Sequence, residues 1–135
     1  MADVGIARVT ALSHIAPLRI ELGWPHKDLS PNSRAHRMAK WRASKDAKEE
    51  AGWATKAAIG RSRFEYPDER IPVRIIAHPP MAWRTGDDDN LASSAKPHFD
   101  AIAIALGVND RRFEQGGVTW AERRDPPKMI VVIGA

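Results

Sequence analysis

A chain of 135 residues has room for one domain, which buries roughly 65–70% of its unfolded surface and folds without staples. Lysine and arginine outnumber aspartate and glutamate 21 to 17, a net charge of +4 that favours a polyanionic partner, and the lack of cysteine excludes disulfides, thiolate zinc sites and cysteine nucleophiles. No apolar run approaches the ~20 residues of a membrane helix, and residues 1–16 lack the apolar stretch of a secretory signal. The expectation is a cytoplasmic protein with no membrane partner, in which residues 1–16 form an extension and 17–135 the domain.

In chain order, Leu18-Arg19-Ile20-Glu21-Leu22 alternates apolar and polar at the strand period and ends at Gly23-Trp24-Pro25. Ser30 and Ser33 offer N-caps for a helix predicted over residues 32–58, with Gly60 as its stop. Ala35, Met38, Ala39, Ala43, Ala47, Ala51 and Ala54 recur at three- and four-residue steps, a stripe of small side chains suited to lying close on a sheet. Arg34, Arg37, Trp41, Lys45 and Lys48 follow the same spacing on another face, which reads either as a phosphate-tracking surface or as an ordinary solvated one.

Pro72-Val73-Arg74-Ile75-Ile76-Ala77-His78 predicts a second strand, stopped by Pro79-Pro80. Residues 88–106 return to the helical pattern, with Leu91, Phe99, Ile102, Ala103 and Leu106 as the apolar face and Gly107 as the stop. Pro97 costs ~3 kcal/mol inside a regular helix, so a kink is expected there, or a break near Lys96 with a new first turn at Pro97. Residues 118–123 and 129–133 read as two strands, expected to form a hairpin across the Asp125-Pro126-Pro127 turn. The fold class is therefore α+β: a single domain with a small mixed sheet of about four strands (β-α-β-α-β-β) packed against two helices.

The chemistry concentrates in Arg84-Thr85-Gly86-Asp87-Asp88-Asp89-Asn90-Leu91, which sets three carboxylates in a row between a strand and a helix. Repulsion between neighbouring carboxylates is relieved by water or by a cation. In an extended approach Asp87 and Asp89 point the same way and Asp88 the opposite way, so the outer two form the pair that can share an ion. Hard oxygen ligands suit magnesium, with manganese as a substitute. An EF-hand is excluded, because Leu91 and Ala92 stand at its fifth and sixth positions. The plain alternative is a helix cap favoured by the helix dipole. Within the next helix Asp89, Ser93, Lys96 and Asp100 stand at offsets of zero, four, seven and eleven, which aligns them on one side. There Lys96 either neutralises a phosphate or simply pairs with Asp100. A further aspartate, Asp110, follows on a turn before the next strand.

Asp87-x-Asp89-Asn90-Leu91, then Lys96 and Asp100, then Gly107-Val108-x-Asp110-Arg111 together resemble the RusA family of Holliday-junction resolvases, particularly its phage-type members. The Leu29-Ser30-Pro31-Asn32-Ser33 segment and its basic helix are similar to the family's amino-terminal half, so the resemblance spans about residues 18–133. Lys96 lies seven residues after Asp89, where some members place it four after, and Asn109 stands where many have another aspartate.

The resemblance implies a magnesium-dependent endodeoxyribonuclease of recombination and repair, with Asp87, Asp89 and Asp110 as catalytic metal ligands and Lys96 as the essential basic residue. Arg34, Arg37, Lys45, Arg84, Arg111 and Arg112 are candidates for backbone phosphates by charge and position. Resolving a four-way junction takes two nicks related by a two-fold axis, so a homodimer is expected on branched DNA. The alternatives are a non-catalytic DNA-binding protein and a metal-dependent phosphohydrolase of small phosphoesters.

Overall fold

The computed structural model describes residues 17–83 and 88–135, and of Asp88 and Asp89 the backbone alone. The extension at residues 1–16 lies outside the described residues. Strands β1 (Leu18–Gly23), β2 (Ile71–His78), β3 (Phe113–Trp120) and β4 (Lys128–Ile133) form one mixed sheet with helices α1 (Arg37–Ile59), α2 (Asp88–Ser94) and α3 (Lys96–Leu106). This is the α+β domain expected, with one helix more because the second helical segment is divided.

The strand order is β1-β4-β2-β3, with β4 antiparallel to both β1 and β2 and β2 parallel to β3. The last two strands therefore do not form the hairpin that the Asp125-Pro126-Pro127 turn suggested. The reason lies in their composition. Of β4, Met129 to Ile133 are all buried, so it gains most from a central position with a partner on each side. The sequence of β3, FEQGGVTW, is largely exposed and fits an edge. That strand also begins earlier than predicted, because Gly116 and Gly117 carry a bulge: Val73 pairs with Gln115 but Ile75 with Val118. A Cβ on Gly116 would stand 3.2 Å from the Val73 carbonyl oxygen, and Gly117 adopts φ +93°.

Apolar side chains of alternate strand positions, among them Ile20, Val73, Ile75, Val131 and Ile133, meet Phe99, Ile102 and Leu106 of α3 in one core. The predicted apolar face of the second helical segment is thus the buried one. α1 packs on α3 and β1 through Ala43, Ala47, Ala51 and Thr55, the last donating its hydroxyl to the Ala51 carbonyl at 2.7 Å. Met38 is instead 49% exposed, and Ala35 precedes the helix.

α1 starts five residues later than expected. Ser30 and Ser33 spend their hydroxyls on the local turns, accepting from the Asn32 and Ala35 N–H groups, and the cap is His36, whose Nδ1 accepts from the Met38 N–H at 3.1 Å. Gly60 closes it, as the sequence suggested. The break at Pro97 is also found: Ala95 joins α2 to α3, and the proline sits in the first turn of α3, where its missing N–H costs no helical hydrogen bond. Gly107, at φ +72°, ends α3 in the left-handed conformation.

Candidate active site

The parallel pairing of β2 and β3 requires a crossover, and α2 and α3 supply it, returning the chain alongside the β3 edge. Between these helices and the start of β3 lies an open cleft of about 300 Å³ lined by Ser93, Lys96, Asp100, Asp110 and Gln115, with Phe99 and Phe113 beneath. The two phenylalanine rings meet edge to face at 6.1 Å, which ties the helix to the strand at that point.

The alignment of Ser93, Lys96 and Asp100 expected from helical spacing survives the break at Ala95, because the Ala95 N–H still bonds to the Leu91 carbonyl and the Phe99 N–H to that of Ala95, each at 3.0 Å. The tertiary fold adds Asp110. It opens a short 3-10 turn whose cap, Asn109, accepts the Arg111 N–H in its Oδ1 at 2.9 Å. Asp110 is thereby held opposite Lys96 and Asp100.

The ammonium of Lys96 stands 3.5 Å from Asp100 Oδ1, an exposed pair that contributes little to stability but holds a cation at the cleft wall. Asp89 occupies the second position of α2, one helical turn before Ser93. Asp87 and Arg84 lie outside the described residues. Among the described residues, no three histidine, aspartate or glutamate side chains converge as a metal-binding group; the side chains of Asp87 and Asp89 are not among them.

Asp100 and Gln115 belong to this cleft and were not among the predicted site residues. The helical offset puts Asp100 beside Lys96 as an ion-pair partner, and the motif that carries the resemblance includes it without assigning it a role. Gln115 carries no signal in the sequence, where the strand pattern begins only at Val118.

The candidate phosphate contacts separate. Arg34 and Arg37 are exposed at the start of α1, and Lys45 lies over the Trp41 ring at 5.4 Å. Arg111 is exposed, one residue from Asp110. Arg112 is engaged otherwise: its guanidinium donates to the carbonyls of Glu69 at 3.0 Å, Tyr66 at 3.1 Å and Asp68 at 2.8 Å, clamping the loop ahead of β2. That explains an arginine at this position without DNA.

On the far side of α3, His98 is buried with Nε2 3.7 Å from Glu50 Oε1, while Glu50 Oε2 accepts the Gly23 N–H at 3.1 Å. Burial holds the His98 imidazole below the ordinary histidine range, against the opposing pull of Glu50.

No helix among the described residues is long and apolar enough to cross a membrane. No protein-family model matches the chain. A protein of Xylella fastidiosa (strain Temecula1 / ATCC 700964) carrying the name "Uncharacterized protein" is 39% identical to it over 118 residues, 84% of this chain and 74% of the relative, and the chain belongs to the family of that protein.

Proposed function

We propose that the chain is a metal-dependent, structure-selective DNA endonuclease that resolves four-way junctions by paired nicks as a homodimer, in the manner implied by its resemblance to the RusA resolvases. The observation that carries the reading is the meeting of Lys96, Asp100 and Asp110 in one open cleft, one helical turn from Asp89. A cation and carboxylates along an open wall suit a phosphodiester, which brings charge to the lysine and leaves the acids to oxygen-seeking metal.

The donor set is hard oxygen throughout, which fits magnesium or manganese; Asp87, Asp89 and Asp110 would hold the ion. When bound, it supplies Lewis acidity at the phosphate and lowers the pKa of water. Lys96 neutralises charge on the non-bridging oxygens as it grows in the transition state, and Asp100 positions the lysine through their 3.5 Å contact. Ser93 and Gln115 offer hydrogen bonds to the strand along the cleft. Arg34, Arg37, Lys45, Arg84 and Arg111 are the proposed backbone contacts. Phosphate neutralisation by these groups makes binding weaken with salt.

The test is a cleavage assay with magnesium on labelled four-way junctions, forks and linear duplexes, alongside Asp89→Asn. The expected result is symmetric nicking of the junction by the wild type and binding without nicking by the variant. An intact junction under conditions of proven binding would leave a DNA-binding protein without this activity, and turnover of small phosphoesters in preference to DNA would point to the phosphohydrolase alternative.

A further inference from the structure

A second cleft, of about 570 Å³, lies on the other side of α2 and takes no part in the chemistry described so far. Its size falls within the ~300–1,000 Å³ of sites that hold small molecules. Trp24, following β1, and Trp83, in the loop after β2, form its aromatic walls; Ser30, Asn90, Ser94 and Lys27 also line it, the Ser94 hydroxyl donating to the Asn90 carbonyl at 2.8 Å. Trp120, at the end of β3, stacks on Trp83 with 20° between the ring planes and 6.1 Å between centroids, while Trp24 meets Trp83 edge-on at 5.4 Å.

Three tryptophans from three separate segments thus brace one another. Trp83 is further held by its backbone: its carbonyl accepts from Arg123 Nε at 2.9 Å and its N–H donates to the Pro80 carbonyl at 3.0 Å. The indole Nε1–H of Trp83 is buried, with no acceptor among the described residues.

We infer that this cleft takes an unstacked nucleobase of a DNA strand. Braced indoles provide a stacking surface without ordering cost on binding, and Lys27 meets the adjoining phosphate. Charge complementarity favours this occupant over a neutral aromatic: the lining among the described residues includes Lys27 and His26, on a chain of net charge +4. α2 is the shared wall, with Ser93 on the acidic cleft and Asn90 and Ser94 on the aromatic one, so a base seated in the second cleft fixes the register of the strand passing the first. The inference rests on the endonuclease reading only for that last step.

The test uses the full chain in EDTA with fluorescein-labelled single-stranded oligonucleotides, one bearing thymine throughout and one of the same length with an abasic backbone. The wild type is expected to bind the base-bearing strand more tightly, and Trp24→Ala to weaken that binding about tenfold while leaving the abasic strand within about twofold. In parallel, a strand carrying 5-iododeoxyuridine is irradiated with the wild-type protein, and crosslinks are expected at Trp24 or Trp83; this arm is independent of how the variant folds. Equal affinity for both strands with crosslinks elsewhere overturns the inference even if junctions are cut. Base-dependent binding and crosslinking at these tryptophans sustain it even if no DNA is cut, in which case the endonuclease reading alone fails.

Discussion

The two clefts on either side of α2 are built by opposite means. The acidic one is open and charged, and its Lys96 and Asp100 come from a single helical face four residues apart. The aromatic one is roughly twice as large and mostly apolar, and its tryptophans come from segments far apart in the chain. An exposed ion pair is held weakly and is free to follow a substrate's charge. Packed indoles are held rigidly and present a fixed surface. On the proposed reading, reaction and recognition fall to different materials, which makes the comparison open to experiment.

The sharpest break in it comes from Asp110. Replacing it with asparagine keeps shape and removes charge, so junction cleavage is expected to fall by about 10³-fold with binding nearly unchanged, as measured by single-turnover cleavage and gel shift. A variant that cuts normally would remove Asp110 from the chemistry. Lys96→Ala comes next: the cleavage rate is expected to drop by about 10²-fold, while the melting temperature barely moves because the pair with Asp100 is exposed. A large loss of stability instead would make the lysine a structural residue.

Trp24→Ala should act through affinity, raising KM for a branched substrate about tenfold with kcat within about threefold. A loss of kcat alone would merge the two clefts into one functional unit. The smallest effect concerns His98. Its folded-state pKa is lowered by burial, so the unfolded chain binds the proton more readily, and this residue's cost to stability appears as pH falls below the ordinary histidine value of ~6.5 and vanishes above it. Urea midpoints measured across that range should decline on acidification less steeply in His98→Gln than in the wild type. Equal slopes would contradict the burial argument.

Much of the frame is readable one segment at a time, since the forces involved are local. The alternation in Leu18 to Leu22, the stops at Gly60 and Gly107 and the break before Pro97 all follow from backbone sterics and burial period. The hairpin expectation failed because a turn signal says that two segments reverse direction, not that they pair. Met129 to Ile133 is apolar at every position, and the burial gained between β1 and β2 outweighed proximity in sequence. The start of α1 was misplaced by competition of the same local kind, serine hydroxyls preferring their own turns.

What the sequence by itself determined is the α+β class, the positions of most elements and the helical face that joins Ser93, Lys96 and Asp100, because each depends on spacing within a few residues. Only the tertiary structure decided that Asp110 and Gln115 face that row, that β4 lies at the centre of the sheet, and that Trp24, Trp83 and Trp120 form one wall. Those are contacts between distant segments. They are selected by how the whole chain buries its apolar surface, and no window along the sequence contains that information.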